Sequence, residues 1–302
     1  MWFAKRVQDE RKEIGHFRAQ DSLALEMALN GGKNYVATII MALMPPRQSK
    51  ANPAGYCHYV EPFAGGLAVL LANNPDGISE VVNDLNKDLS TFWKTVQGCE
   101  SFNSLKRLCE ATPFSEIEWH DADPEINGDE EWSTSVVRAW RFYIRCRQSL
   151  AGRMDSFAPL SRTRTRRGMN EQASAWLTAI DGMPLVHARL KRVVILCRDA
   201  IDVIRQQDGP QTLYYCDPPY ISETRTAPNI YEKEMTVEQH RNLLATLKDC
   251  AGKVMLSGYP SALYKTELED CGWKFTDFNL PNNSASGATK RRMTERLWMN
   301  YG

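Results

Sequence analysis

The chain has 302 residues, enough for one large α/β domain or for a core domain carrying a smaller inserted one. Its content of 43 % hydrophobic and 25 % charged residues is ordinary for a globular protein, and a formal net charge of zero excludes a chain-wide basic field. The 8 cysteines are scattered without a CxxC pair, which argues against a zinc site or a disulfide framework and for reduced thiols in a cytosolic protein.

Residues 1–25 are charged and mixed and read as an extra helix or a loosely held arm. They contain no apolar stretch of signal-peptide length, and no run in the chain approaches the roughly 20 apolar residues of a membrane span. A soluble intracellular protein is expected. In "GGKNYVATIIMALMPP", Ile39, Ile40, Leu43 and Met44 recur at helical spacing, and Pro45-Pro46 stops the helix. "CHYVEPFAGGLAVLLANN" gives a short apolar strand, a glycine turn and a helix from about Leu67. "ISEVVNDLNKDLSTFWKTV" repeats the theme, with a strand over Ser79–Asn83, an acid at its tip and a helix. Strand, helix, strand is a βαβ unit, and it predicts a parallel sheet.

The middle of the chain breaks this pattern. Ser115–Trp132 is acidic with no lysine or arginine, whereas Arg138–Asn170 is nearly free of acids and studded with arginine. Residues 100–184 read as an inserted, mostly helical segment with a basic loop at 151–170. Within it Trp140, Phe142 and Tyr143 read as the insert's own core. The α/β pattern returns with "RVVILCRDAIDVI" and "TLYYCDPPY", then an amphipathic helix with Thr236 as N-cap, and strands in "GKVMLSGYP", "WKFTDFNL" and "TERLWMNYG". His58, His187 and His240 read as structural, and Trp298 as core.

Four short segments carry chemistry. The glycines of "EPFAGG" follow a strand directly, so the backbone can approach a ligand there, although an ordinary βα turn uses the same residues. The run is neither GxGxxG nor a phosphate-cradling P-loop. Asp84 ends the second strand, 23 residues after Glu61. An acid at about that spacing reaches a ribose diol in doubly wound sheets. Asp199 is a third strand-end acid able to accept from an exocyclic amine such as adenosine N6, with Asp202 as its rival one turn into the helix. Gly32 and Lys33, before the first strand, place a lysine where it could approach a cofactor carboxylate.

"DPPY" is the fourth segment. Pro218 and Pro219 fix φ near −65° and hold Asp217 extended, so carbonyl oxygens are held outward on a stiff segment. Tyr220 is expected to supply an exposed flat ring. A carboxylate and a carbonyl can accept both hydrogens of one amino group. An aromatic amine is a poor nucleophile because its lone pair is delocalised. Two acceptors on its hydrogens localise that pair, and a methyl group on a sulfonium is a matching electrophile. Rate would then come from positioning and electrostatics.

At these residues the sequence resembles a known family. "YVEPFAGGLAVLL" with a downstream "YYCDPPY" is similar to the Dam-like, D12-class N6-adenine DNA methyltransferases. The order "GGK", glycine turn, acidic strand end, insert, "RDAIDVI" and DPPY agrees over about residues 28–302. The resemblance implies a Rossmann-like class I methyltransferase sheet with a mostly helical target-recognition insert. It implies S-adenosylmethionine as methyl donor, S-adenosylhomocysteine as product, no metal, and double-stranded DNA as substrate. A cytoplasmic monomer, bacterial or phage-encoded, is expected. The division implied is an N-terminal extension over 1–27, a catalytic domain over 28–99 and 185–302, and the insert over 100–184.

By the same resemblance, Glu61, Phe63, Ala64 and Gly65 line the cofactor pocket. Asp84 holds the ribose, Asp199 the cofactor adenine, and Lys33 with Gly32 the methionine end. Asp217, Pro218 and Tyr220 grip a flipped adenine. Two departures stand out: Leu29 where some members carry an aromatic residue, and Leu67-Ala68 where a further glycine is expected. Arg162, Arg164, Arg166 and Arg167 in "SRTRTRRG" are either a solvated face or arginines that neutralise phosphates and read guanine. Arg153 and Phe157 are candidates for filling the gap left by an extruded base, whose removal from the stack costs a few kcal/mol. The same amine chemistry would also serve cytosine N4, RNA adenine or a glutamine amide, and an inactive DNA-binding relative is a further alternative.

Overall fold

The structure, a computed structural model, describes residues 34–124, 134–221, 235–281 and 292–302. Gly32, Lys33 and the extension expected over 1–27 lie outside the described residues, as does the acidic run from 125 to 133. The first half holds helix α1 (Asn34–Leu43), strand β1 (His58–Glu61), α2 (Ala68–Ala72), β2 (Ser79–Asn83) and α3 (Lys87–Gln97). Helices α4 (Cys99–Ala111), α5 (Glu116–Asp121), α6 (Ser135–Arg147) and α7 (Glu171–Leu190) follow. Then come β3 (Val193–Leu196), α8 (Ala200–Gln207), β4 (Thr212–Cys216), α9 (Val237–Asp249) and β5 (Lys253–Gly258). Helix α10 (Ala262–Tyr264), which runs on into a π turn, β6 (Lys274–Pro281) and β7 (Arg292–Met299) close the chain. No helix among the described residues is long and apolar enough to cross a membrane.

These elements fall into two compact units. One comprises Met44–Ala64, Pro75–Asn86 and Val194–Gly302, and the other comprises the segment ending at Leu43 with Gly65–Asn74 and Lys87–Val193.

The first unit is built on a 7-stranded sheet in the order β3-β2-β1-β4-β5-β7-β6. β1 pairs parallel to β2 and to β4, and β4 parallel to β5, whereas β7 runs antiparallel between β5 and β6. The sheet is Rossmann-like. Its central strands explain themselves from composition: β4 is "TLYYC" with every residue buried, the continuous run expected of an interior parallel strand. Val60, Tyr214, Val254, Leu256, Leu243, Leu247 and Trp298 form one core, each contributing roughly 1.5–3 kcal/mol by leaving water. Helix α9 starts at a capping box, with Thr236 accepting from Gln239 N–H and the Gln239 side chain accepting from Thr236 N–H.

The second unit is helical. Phe92 of α3 stacks on Tyr143 of α6 with centroids 5.1 Å apart, and Tyr143 meets Trp176 of α7 at 5.5 Å. Thr112 accepts from both tryptophans nearby, Trp140 Nε1 at its hydroxyl and Trp176 Nε1 at its carbonyl, each at 2.8 Å. Helix α7 is capped by Asn170, whose side chain accepts from Gln172 N–H, and it runs on through Pro184. An interior proline costs about 3 kcal/mol, and the flanking burial of Ile180, Met183 and Val186 offsets it. Thr165–Arg166 and Met169–Asn170 form a short antiparallel hairpin ahead of α7. Its two central residues, Arg167 and Gly168, have φ of 56° and 73°, the left-handed pair that a two-residue hairpin turn requires.

Candidate active site

Strand order reverses between β1 and β4. The chain builds β1, β2 and β3 outward in one direction and returns to lay β4 on the other side of β1. In open parallel sheets the crevice outside the carboxyl ends of the strands at such a point receives ligands. Glu61 ends β1 there, and Asp217 follows the last residue of β4. Asp84 follows β2 and Asp199 lies three residues beyond β3, so four strand ends each carry an acid.

Their surroundings differ. Glu61 is 2 % exposed and accepts from the Tyr59 hydroxyl at 2.7 Å. Burial, and then the Glu61 charge, push the Tyr59 phenol well above its ordinary pKa. Asp84 is half-buried, and one of its oxygens accepts from Asn86 N–H at 2.9 Å, an Asx turn that fixes its carboxylate. Asp199 is exposed and caps α8 by accepting from Ile201 N–H at 2.8 Å, a structural duty that leaves its second oxygen for another donor. Asp202 is exposed within the first turn of α8.

Sequence reasoning missed the residue that ties these loops together. Asn83, 1 % exposed, donates from Nδ2 to the Pro62 and Arg198 carbonyls, each at 3.0 Å, and accepts Arg198 N–H at 2.9 Å. Its own carbonyl accepts from Ala64 N–H at 2.9 Å. One amide therefore sets the spacing of the turn after β1 and the turn after β3, with Asp84 as its chain neighbour. Its signal in the sequence is faint: a polar residue closing an otherwise apolar strand.

The turn after β1 behaves as its glycines suggest, with one difference. Phe63 is half-buried against the sheet core and Ala64 is buried. In the helical unit, Gly65 has φ of 49°, and its carbonyl accepts from Trp93 Nε1 at 3.0 Å. Leu67 also has a left-handed φ, 59°, where a glycine was expected. That conformation costs a leucine roughly 1–2 kcal/mol, and complete burial of its side chain returns about 1.5–3 kcal/mol. Burial wins, which is why leucine is tolerated.

The DPPY segment corrects one expectation. Tyr220 is not an exposed ring; it is 7 % exposed and its edge meets the Tyr259 ring at 4.7 Å and 71°. The two prolines turn the chain so that its hydroxyl lies 3.0 Å from Asp217 Oδ1 and 2.8 Å from Glu295 Oε1. Pro218 is buried, while Asp217 stays half-buried. Burial, followed by the Asp217 charge, raises the phenol of Tyr215 well above its ordinary value, and Tyr215 shares a 3.2 Å hydrogen bond with the Ser257 hydroxyl.

The basic residues lie in the helical unit. Arg162, Arg164, Arg166 and Arg167 are all exposed. Arg164 Nε is 3.1 Å from Glu171 Oε2, and Arg167 Nη1 is 3.5 Å from Asp181 Oδ2 while donating to Thr178 Oγ1 at 3.2 Å. Arg153 is exposed. Phe157 is half-buried against Phe114, at 5.1 Å, and near Trp119, so it is no free wedge. His58 bonds Gln207, His187 stacks on Phe102, and His240 is buried against Tyr264, all structural roles.

Comparison with known proteins agrees with this geometry. The family model described as D12 class N6 adenine-specific DNA methyltransferase matches residues 30–282. No curated protein matches the chain significantly. The family match spans most of the chain and brings with it methyl transfer to adenine N6 in DNA; the chain belongs to the D12 class of N6-adenine-specific DNA methyltransferases.

Proposed function

We propose that this chain transfers a methyl group from S-adenosylmethionine to the N6 amino group of an adenine that has been turned out of double-stranded DNA, in one direct step. The observation that carries the reading is the adjacency of β1 and β4. Their parallel pairing puts the Glu61–Ala64 turn and the DPPY segment at neighbouring carboxyl ends. The donor set suits the cofactor. Asp84, its carboxylate fixed by the Asn86 N–H, stands at the end of β2 to meet a ribose diol, and Asp199 keeps one oxygen clear of its helix cap and can accept from an adenine amine. Glu61, Phe63, Ala64 and Gly65 would line the same cofactor, with Gly32 and Lys33 at its methionine end.

The bound cofactor supplies an electrophilic methyl carbon on a sulfonium. The protein supplies the rest. Asp217 and the Pro218 carbonyl accept the two amine hydrogens, which localises the nitrogen lone pair toward the methyl carbon. Tyr220 walls the target base, its ring held by the contacts of its hydroxyl. The excess proton on nitrogen becomes acidic only as the new bond forms, and it leaves through Asp217 to water. Positioning and fixed dipoles account for the rate. Residues 28–99 and 185–302 carry this chemistry, and residues 100–184 serve target recognition. Within that segment Arg153, Arg162, Arg164, Arg166 and Arg167 face the phosphates and base edges. The exposure of all five supports this.

The test is nuclease protection. Plasmid DNA from a methylation-free host, treated with the protein and S-adenosylmethionine, should become resistant to enzymes blocked by N6-methyladenine. Resistance confined to enzymes blocked by N4-methylcytosine would refute the choice of base.

A further inference from the structure

Asn170 belongs to two elements at once. It closes the short hairpin, where it pairs with Thr165, and it is the N-cap of α7, so no linker separates hairpin from helix. Its Oδ1 accepts from Gln172 N–H at 2.9 Å and from Ala173 N–H at 3.4 Å. Its Nδ2 donates to the Ser161 carbonyl at 3.3 Å. Ser161 Oγ in turn accepts from Arg164 N–H at 3.0 Å, and the Arg164 carbonyl accepts from Glu171 N–H at 3.2 Å. The backbone over residues 161–164 is thereby closed onto the first turn of α7. An amide carries an acceptor and donors on one short side chain, and both ends are used here. Aspartate would cap the helix equally well but has no hydrogen for Ser161.

We infer that Asn170 is a positioning residue for target recognition: by capping α7 and holding Ser161 with the same amide, it sets how residues 161–164, Arg162 among them, meet the DNA. This rests on the reading of residues 100–184 as the recognition segment. Phosphate contacts tolerate a shifted loop, whereas base contacts need side chains held to within about 0.5 Å. Loss of the Ser161 bond therefore costs discrimination between sequences more than affinity for DNA.

The experiment compares the full-length wild type with Asn170→Asp and Asn170→Ser, using S-adenosylmethionine and two duplexes. One carries the sequence context that long-read sequencing shows the wild type to methylate; the other has one base pair beside the target adenine changed. Asn170→Asp should lower the ratio of the two kcat/KM values about tenfold, while the melting temperature holds level because the cap is kept. The ratio cancels the uniform repulsion that an added charge exerts on any duplex. Asn170→Ser is uncharged and also caps, but its side chain is too short to reach Ser161, so it should lower the ratio as much. Should Asn170→Asp not fold, Asn170→Ser decides alone. An unchanged ratio overturns the inference and leaves the proposed function standing. A wild type that methylates no adenine, or adenine in every context alike, overturns the reading on which the inference rests and the inference with it.

Discussion

Asn83 holds Arg198 by two backbone hydrogen bonds at once, donating to its carbonyl at 3.0 Å and accepting from its N–H at 2.9 Å. A third bond, to the Pro62 carbonyl, anchors the same side chain to the turn after β1. The loops that bear Phe63, Ala64 and Asp199 are therefore set by one buried amide rather than by their own sequences. Asn83→Ala should cost about 2–4 kcal/mol, because it strips partners from groups at a buried strand edge. It should also weaken S-adenosylmethionine binding at least about tenfold, through displacement of loops that it does not itself belong to. Thermal unfolding and calorimetry read the two effects. Unchanged cofactor affinity in a folded variant would remove Asn83 from the site.

The buried phenols set an alkaline limit. Burial and then neighbouring carboxylates, Glu61 for Tyr59 and Asp217 for Tyr215, raise both phenols above their ordinary value. Each folded pKa exceeds the unfolded one, so between the two the native state holds a proton that the unfolded chain releases. The contribution is fully present below about pH 10 and falls as pH rises beyond it, by about 1.4 kcal/mol per phenol per pH unit. Melting temperature should hold level to about pH 9.5 and then drop steeply, while tyrosine absorbance near 295 nm shows a class that ionises only on unfolding. Native titration of every tyrosine near its ordinary value would contradict this.

The arginines of residues 162–167 are not equivalent. Arg164 and Arg167 spend charge on Glu171 and Asp181, and Arg167 also bonds Thr178. Replacing Arg162 by alanine should flatten the salt dependence of DNA binding by about one counterion. Arg167→Ala should instead loosen the hairpin and change the salt slope by less than about one. Fluorescence anisotropy on a duplex at several salt concentrations separates them. Equal slopes for both variants would place the DNA elsewhere.

What was legible in the sequence follows from range. β2 over Ser79–Asn83 and the Thr236 cap were readable because apolar runs and caps are local signals. The DPPY carboxylate at a strand end was readable for the same reason, and so was the basic hairpin. The burial of Tyr220 was not, because its partner Glu295 lies 75 residues away on an antiparallel strand. Nor was the role of Asn83, whose three bonds exist only once β1, β2 and β3 lie side by side. Nor was the length of α7, which tertiary packing carries through Pro184 to Leu190. The left-handed Leu67 likewise depends on the pocket that buries it.

The central claim is that Asp217 accepts from the very nitrogen that is methylated. The direct measurement is nucleoside mass spectrometry with long-read sequencing of DNA from a methylation-free host expressing either the wild type or Asp217→Ala. The account predicts N6-methyladenine in a defined sequence context for the wild type. For Asp217→Ala it predicts a loss of at least about a thousandfold, with calorimetric S-adenosylmethionine binding retained. Methylation of another base, or undiminished N6-methyladenine in the Asp217→Ala strain, would contradict it.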